Sequence, residues 1–557
     1  MYQEDSPAMP KRPTLGDVIH AFLVNCGVDT AFGVISIHNM PILDAFFRGD
    51  AVRFVPARGE AGAVNMADSF ARVSGRLGVA VTSTGTGAGN ACGALVEAMT
   101  AGTPLLHLTG QVESPYVDLN CGYIHEAPRQ LEMLAAVSKK AFSIRSADSA
   151  MEILREAVLT AMTAPTGPVS IEIPVDIQAT ELDWPEDLQP AEVPVLRASQ
   201  QQIEALADAL VQARRPMLWL GGGARHAADA ALQLAELGFG VISSVNGRGI
   251  VPEVHPGTLG AFTYHPETEK LYDTCDAMLM VGSRLRSNEA LSYKLRLPQP
   301  LFRVDAIEHH ATYRPDLYLL GDSRDTLQRL VAALGSRLRI DPKFAADIAS
   351  ARKRILAGER ESLGQFTELV DSLDTAAGDD FVWVRDVTLG NSIWGNRMLH
   401  LSSPRDGVHA LGGGIGQGLP MAIGAALAAG DRAVYCLAGD GGLMLNPGEF
   451  ATAVQEKANF ILLLMNDRGY GVIKNIQTAR YGARYCYVDL HTPDFESYCA
   501  SLSVPYLRVE DLKQTASALA RAKQLTGPVV VEFVLEKIGY YSNAFAGPVV
   551  RQEPQPC

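Results

Sequence analysis

"GDGGLMLNPGEFATAVQEKANFILLLMNDRGYG", residues 439–471, sets an acidic, glycine-flanked turn at each end of a helix-then-strand unit. The preceding "AVYCLA" reads as a buried strand ending at Gly439. "PGEFATAVQEKA" reads as a helix beginning near Pro447, and "FILLLM" as the next buried strand, ending at Asn466. Such a βαβ unit with neighbouring parallel strands brings Asp440 and Asp467 to the same sheet edge, where open α/β sheets bind ligands. Two converging carboxylates suit a hard divalent cation with oxygen ligands. Gly441 and Gly442 leave backbone N–H groups bare beside Asp440, free to cradle phosphate oxygens. The spacing alone serves equally well for two strand-end loop aspartates that bind nothing.

The same alternation extends in both directions. "RFVPA" before "EAGAVNMADSFARVSG", then "GVAVTST", "PLLHLTG" and "PVSIEIP", predict an α/β fold of doubly wound parallel sheets. The acidic, proline-rich "DIQATELDWPEDLQPAEVPVLRASQQQ" reads as a linker. A second α/β pattern follows with "PMLWLGGGA", "GVISSV", "AMLMVGS" and "LFRVDA", and a helical stretch then leads to the block containing the opening segment. Three domains are expected, at residues 10–185, 195–345 and 370–545, in keeping with a length of 557 residues. The first and third blocks are of similar length, as related folds would be.

Composition narrows the functions available. Hydrophobic residues make up 47% and charged residues 20%, and no stretch approaches the ~18 apolar residues of a membrane span. A net charge of -14 disfavours nucleic acid and anionic membrane, which clustered Lys and Arg would grip. The N-terminal "MYQEDSPAMPKRP" lacks the basic start and apolar run of a secretory signal and reads as a loose tail. The eight cysteines form no C-x-x-C pair, so reduced thiols and a cytoplasmic location are expected.

Asp-Gly-Gly, a helix, an apolar strand and "NDRGYG" together resemble the cofactor signature of thiamine-diphosphate (ThDP) enzymes, with Asp467 standing where a second Asn is common. The resemblance implies Mg2+ held by the side chains of Asp440 and Asp467 and the carbonyl of Gly469, with Gly441 and Gly442 at the diphosphate. It also implies a glutamate on the aminopyrimidine ring. Glu60, between a strand and a helix in "RGEAGAVNMADSFARVSG", matches it, and a first-turn acid favoured by the helix dipole is the plainer reading of that residue. "TSTGTGAGNACGALVEAMTAGTPLLHLTGQV" resembles the family's glycine turn, which implies Asn90 at the cofactor and Gln111 in the active site. "LGGGIGQGLPMAIGAALA" resembles the segment that bends the cofactor, with Ile415 as the wedge and the Gly413 carbonyl at the aminopyrimidine; by itself Ile415 would pass for core. The family's cofactor lies between subunits, so a homodimer at minimum and a homotetramer are implied.

Among subfamilies the chain looks most like acetolactate synthase, with more distant likeness to benzoylformate decarboxylase and benzaldehyde lyase. It departs from acetolactate synthase at three places. Ile476 stands for a Trp after the metal motif, Ile124-His125 for a Phe-Gln pair, and "GSRLRSNEALSYK" for the flavin-associated stretch, so FAD is not expected. His38, in "GVISIHNMP", sits where relatives place substrate-facing residues; His38 and His125 are candidate proton carriers, and each alone fits a structural histidine. Three readings follow: a 2-oxoacid decarboxylating carboligase, a decarboxylase or hydroxyketone lyase acting on 2-oxoacids or aldehydes, and a silent ThDP-binding paralogue.

Overall fold

Apolar runs of four to seven residues with helical stretches between them can bury both faces only inside parallel sheets flanked by helices. The computed structural model, which describes residues 12–308 and 313–542, contains three such sheets. The acidic N-terminal tail, Cys557 and the outermost expected domain limits, residues 10 and 545, lie outside the described residues.

The first sheet runs, in spatial order, Arg53–Pro56, Thr30–Gly33, Gly78–Thr82, Leu105–Gln111, Pro168–Pro174 and Lys140–Ser143. The third runs Gly407–His409, Phe381–Arg385, Ala433–Gly439, Phe460–Asn466, Pro528–Val534 and Tyr506–Val509. Numbering the strands of each sheet in chain order gives 2-1-3-4-6-5 for both, so the two similar blocks share one topology. Between them lies a five-stranded sheet in the order Leu317–Leu320, Leu301–Asp305, Ala277–Val281, Pro216–Leu220, Gly240–Ser243. Every pairing of these strands is parallel. The central strand Phe460–Asn466 is buried throughout, as its unbroken apolar run requires.

The first and third sheets share one apolar core. Val64, Met66 and Phe70 of the Glu60–Ser74 helix belong to the same cluster as Met421 and Ile423 of the Gly418–Ala428 helix. The two helices approach closely, and a Cβ on Gly424 would overlap the Met66 carbonyl. A buried ion network reinforces the junction. Arg72 binds Asp68 at 2.6 Å and Glu97 at 3.1 Å, and donates to the His409 carbonyl at 2.7 Å. Glu97 in turn accepts from the N–H groups of Leu411 and Gly412 at 2.7 and 2.6 Å. Its carboxylate thus holds the segment leading to Gly413, and all members of the network have partners, as buried charges require.

Among the described residues, no helix is long and apolar enough to cross a membrane, and the seven cysteines are unpaired.

Candidate active site

The opening segment folds as the βαβ unit expected of it. Ala433–Gly439 and Phe460–Asn466 are parallel neighbours, with Gly439 opposite Met465, so the residues that follow leave the sheet side by side. Asp440 opens a short helical turn, Asp440–Leu443, and the longer helix starts at Glu449 after a turn through Pro447 and Gly448. The Asp467 N–H donates to Asp440 Oδ1 at 3.2 Å. Arg468 adopts a left-handed conformation, φ 54°. The Gly469 carbonyl then lies against the Asp440 turn, where a Cβ on Gly441 would stand 2.8 Å from its oxygen. Asp440, Asp467, Gly469 and Gly441 are therefore gathered at one point.

Its electrostatics are those of a site short of positive charge. Asp440 is fully buried, and its Oδ2 has no hydrogen-bond partner among the described residues. Burial, and after it the Asp467 charge, pushes the Asp440 carboxyl up to about 7; burial raises Asp467 as well. An acid whose folded pKa lies above its unfolded one keeps its proton in the native state after the unfolded chain has lost it. The metal-free protein is therefore expected to lose stability as pH rises from about 4 to about 7, and a divalent cation should cancel that slope. Denaturant midpoints measured across this range, with and without Mg2+, check it.

Asp386, which the sequence reading did not single out, joins this turn to a second one. It follows the buried strand Phe381–Arg385, the same strand-end position as Asp440 and Asp467, and that position was the available signal. Its carboxylate accepts from the Gly416 N–H at 3.0 Å, and a Cβ on Gly442 would lie 3.0 Å from Asp386 Oδ2. Burial pushes Asp386 up to about 6 against the pull of the surrounding backbone N–H groups. Asp386 thereby sets the Gly413–Gly418 turn beside Gly442. Gly413 sits at φ 84° with open space where a Cβ would be, and Ile415 is 37% exposed, so it is not a core aliphatic.

The other sequence-derived residues gather at the carboxyl ends of the first sheet. Glu60 is the first residue of its helix and half-buried. Asn90 Nδ2 donates to Glu60 Oε2 at 3.1 Å, and a Cβ on Gly87 would approach Glu60 Oε1 to 3.0 Å. Gln111 ends the Leu105–Gln111 strand and points inward: its amide donates to Glu172 Oε2 at 3.1 Å while its Oε1 accepts from the Val112 N–H. Gln130, also not foreseen, binds the same Glu172 oxygen and accepts from Thr84 and from the Gly85 N–H, fixing the glycine turn. The His38 and His125 rings lie 5.2 Å apart between centroids. His38 is 2% exposed with Nδ1 unpartnered, and burial, then the nearby His125, lowers its pKa.

Two half-sites result. Among the described residues, no hydrogen bond or ion pair joins Glu60 or Asn90 to the Asp440 turn within the chain.

Family models of three thiamine pyrophosphate (that is, ThDP) enzyme domains match the chain: the N-terminal TPP binding domain over residues 13–134, the central domain over 203–330 and the C-terminal TPP binding domain over 390–533. The chain belongs to the thiamine pyrophosphate enzyme family. Among the relatives of this ThDP enzyme is a probable 2-ketoarginine decarboxylase of Pseudomonas aeruginosa, 32% identical over 84% of this chain and 85% of the relative. The acetolactate synthase large subunit of Corynebacterium glutamicum is 26% identical over 95% of this chain and 88% of its own length. An acetolactate synthase of Mycobacterium bovis is 27% identical over 92% and 86%. The residues of this ThDP enzyme fit a metal-bound diphosphate: an orphaned buried carboxylate oxygen, a second carboxylate beside it, and glycines with room for backbone alone.

Proposed function

We propose that this ThDP enzyme is a Mg2+-dependent 2-oxoacid decarboxylase whose reaction ends in protonation. The observation that carries the reading is the His38–His125 pair, two imidazoles 5.2 Å apart with one ring nitrogen buried and unpartnered. Bound thiamine diphosphate would supply a nucleophilic carbon and an electron sink for the pair left behind as CO2 departs. Asp440, Asp467 and the Gly469 carbonyl would hold Mg2+, and the N–H groups of Gly441 and Gly442 would meet the diphosphate. Glu60, steadied by Asn90, would hold a proton at the aminopyrimidine, which Gly413 and Ile415 would seat. Gln111 and Gln130 orient the turns around the substrate. His38, kept neutral by burial, can relay a proton with His125.

His38→Ala and His125→Ala are each expected to lower kcat about 100-fold, the usual contribution of a positioned proton carrier, with ThDP affinity unchanged. Because burial lowers the His38 pKa, activity that needs its neutral form should extend to more acidic pH than an ordinary imidazole would allow. A pH–rate profile with bound-cofactor fluorescence checks both.

A homodimer is the smallest unit this reading allows, since each half-site needs a partner. Exposed apolar side chains stand beside both halves: Ile35 and Ile37 near His38, and Leu445 near the Asp440 turn.

A second reading, joining a pyruvate-type donor to a carbonyl acceptor, is favoured by the acetolactate synthase relatives that match most of the chain. Product analysis by NMR separates the two. The substrates are pyruvate, 2-oxobutyrate, benzoylformate, benzaldehyde, benzoin and a guanidino-bearing 2-oxoacid, the last because of the first relative's name. Free aldehyde from a 2-oxoacid supports the decarboxylase; acetolactate from pyruvate alone supports the carboligase; benzaldehyde released from benzoin, with no turnover of any 2-oxoacid, points to a lyase.

A further inference from the structure

Glu449 is a buried acid that the chemistry above does not use. It begins the Glu449–Gln455 helix, is 2% exposed, and among the described residues has no cationic side chain hydrogen-bonded to it. Its carboxylate faces the first domain. The Arg58 N–H donates to Oε1 and Oε2 at 3.1 and 3.2 Å, the Gly59 N–H donates to Oε1 at 3.1 Å, and Thr452 Oγ1 donates to Oε2 at 2.7 Å. The next residue is Glu60.

The Glu60–Ser74 helix carries no cap of its own, because Gly59 at its N-cap offers no side chain. A helix start exposes N–H groups and a positive dipole end, both of which an anion satisfies. Glu449 supplies that anion from the other domain. Gly62 leaves space for it, since a Cβ there would overlap the carboxylate. Two neighbouring contacts hold the same corner: Arg58 Nη2 donates to Gln455 at 2.8 Å, and Arg53 pairs with Glu456.

We propose that Glu449 is a positioning residue for Glu60, capping the helix from the metal-binding domain and so fixing where the Glu60 carboxyl stands. The inference rests on the assignment of Glu60 to the aminopyrimidine made above. The clamp spans the two halves of one chain and links the start of the Glu60 helix to the helix that follows the Asp440 turn. Small displacements of a reacting group are costly, about 100-fold in rate for about 1 Å.

Glu449→Gln removes the charge and, in either amide orientation, sets an N–H2 group against the Arg58 N–H, and Thr452→Val removes only the hydroxyl that orients the carboxylate. Two measurements on the full-length protein test the clamp. Without cofactor, hydrogen–deuterium exchange at the amides of Arg58 and Gly59 should speed up about 10-fold in Glu449→Gln, as expected for a lost hydrogen bond to a charged group. With ThDP and Mg2+, exchange of the cofactor's C2 proton, read by acid-quench NMR, should slow about 10-fold or more while the Kd for ThDP stays within about 3-fold of wild type. Thr452→Val should move both readouts the same way by a smaller factor, and it decides the matter if Glu449→Gln does not fold. Unchanged amide exchange, unchanged C2 exchange, or a loss of ThDP affinity in step with the C2 rate would overturn the proposal. Glu60→Gln run alongside keeps the two ideas apart. Normal C2 exchange in Glu60→Gln sinks the role of Glu60 itself, whereas slowed exchange there with normal exchange in Glu449→Gln sinks the clamp alone.

Discussion

Glu60→Ala is expected to bind ThDP and Mg2+ almost normally and to turn over any 2-oxoacid substrate at least about 1000-fold more slowly, within the range for a group that moves a proton at the reacting centre. Little of the fold depends on this side chain. It is half-buried, among the described residues its one side-chain hydrogen bond is from Asn90, and its helix buries most of its other residues on its own account. Removing a first-turn acid costs a helix only about 0.3–1 kcal/mol, so a large loss of rate with an intact melting curve would be a statement about chemistry. Calorimetric titration with ThDP beside initial rates makes the measurement. Equal, negligible rates for wild type and variant on every substrate would favour the silent paralogue instead.

Asp440→Ala should fail earlier, at binding. Its buried Oδ2 has no hydrogen-bond partner among the described residues, and a neighbouring carboxylate raises the cost of its charge; a bound cation resolves both with the carboxylate ionised. Mg2+ affinity is expected to fall about 100-fold or more, since disturbing even the groups that support a metal ligand costs 10–100-fold. Wild-type protein at about 100 times the ThDP Kd should gain about 2.7 kcal/mol of stability, and the variant none. The metal-free variant, relieved of the buried like-charge pair, should be more stable than metal-free wild type at pH 7, as sites kept for function at the expense of the fold commonly are. Melting curves with and without ThDP and Mg2+ read both effects. A variant that still gains stability from the cofactor would remove Asp440 from the metal site.

The two variants also bear on each other. Asp440 and Glu60 belong to two half-sites, and among the described residues no hydrogen bond or ion pair joins Glu60 or Asn90 to the Asp440 turn within one chain. Mixing the two inactive proteins should therefore restore part of the activity if a second copy completes the site, because hybrid dimers would contain one intact pair of halves.

Much of this protein was legible in its sequence because the deciding signals are local. An apolar run between glycine turns can be satisfied only as a buried parallel strand, and such a strand must deliver its next residue to the sheet's carboxyl edge. Asp440 and Asp467 are placed by that rule, and the strands that carry them fall where the runs do; Glu60 instead opens the helix that follows the partly exposed edge strand Arg53–Pro56. The glycines at 441 and 413 are legible for a related reason, since their missing side chains mark close approach or open space at a turn. What the tertiary structure alone decided is how those turns are held. Asp386, marked in sequence only by its strand-end position, and the unmarked Gln130 and Glu449 stand 30, 45 and 391 residues from the backbone N–H groups they bind. Burial turns them into fixtures, because a polar group removed from water must find its partners wherever the chain brings them. Ile415 is the converse case: an apolar residue by itself passes for core, and the packed chain leaves this one 37% exposed. Short edge strands such as Lys140–Ser143 and Gly407–His409 were equally out of reach, since their partly exposed residues form no run and pairing with a buried neighbour is what makes them strands.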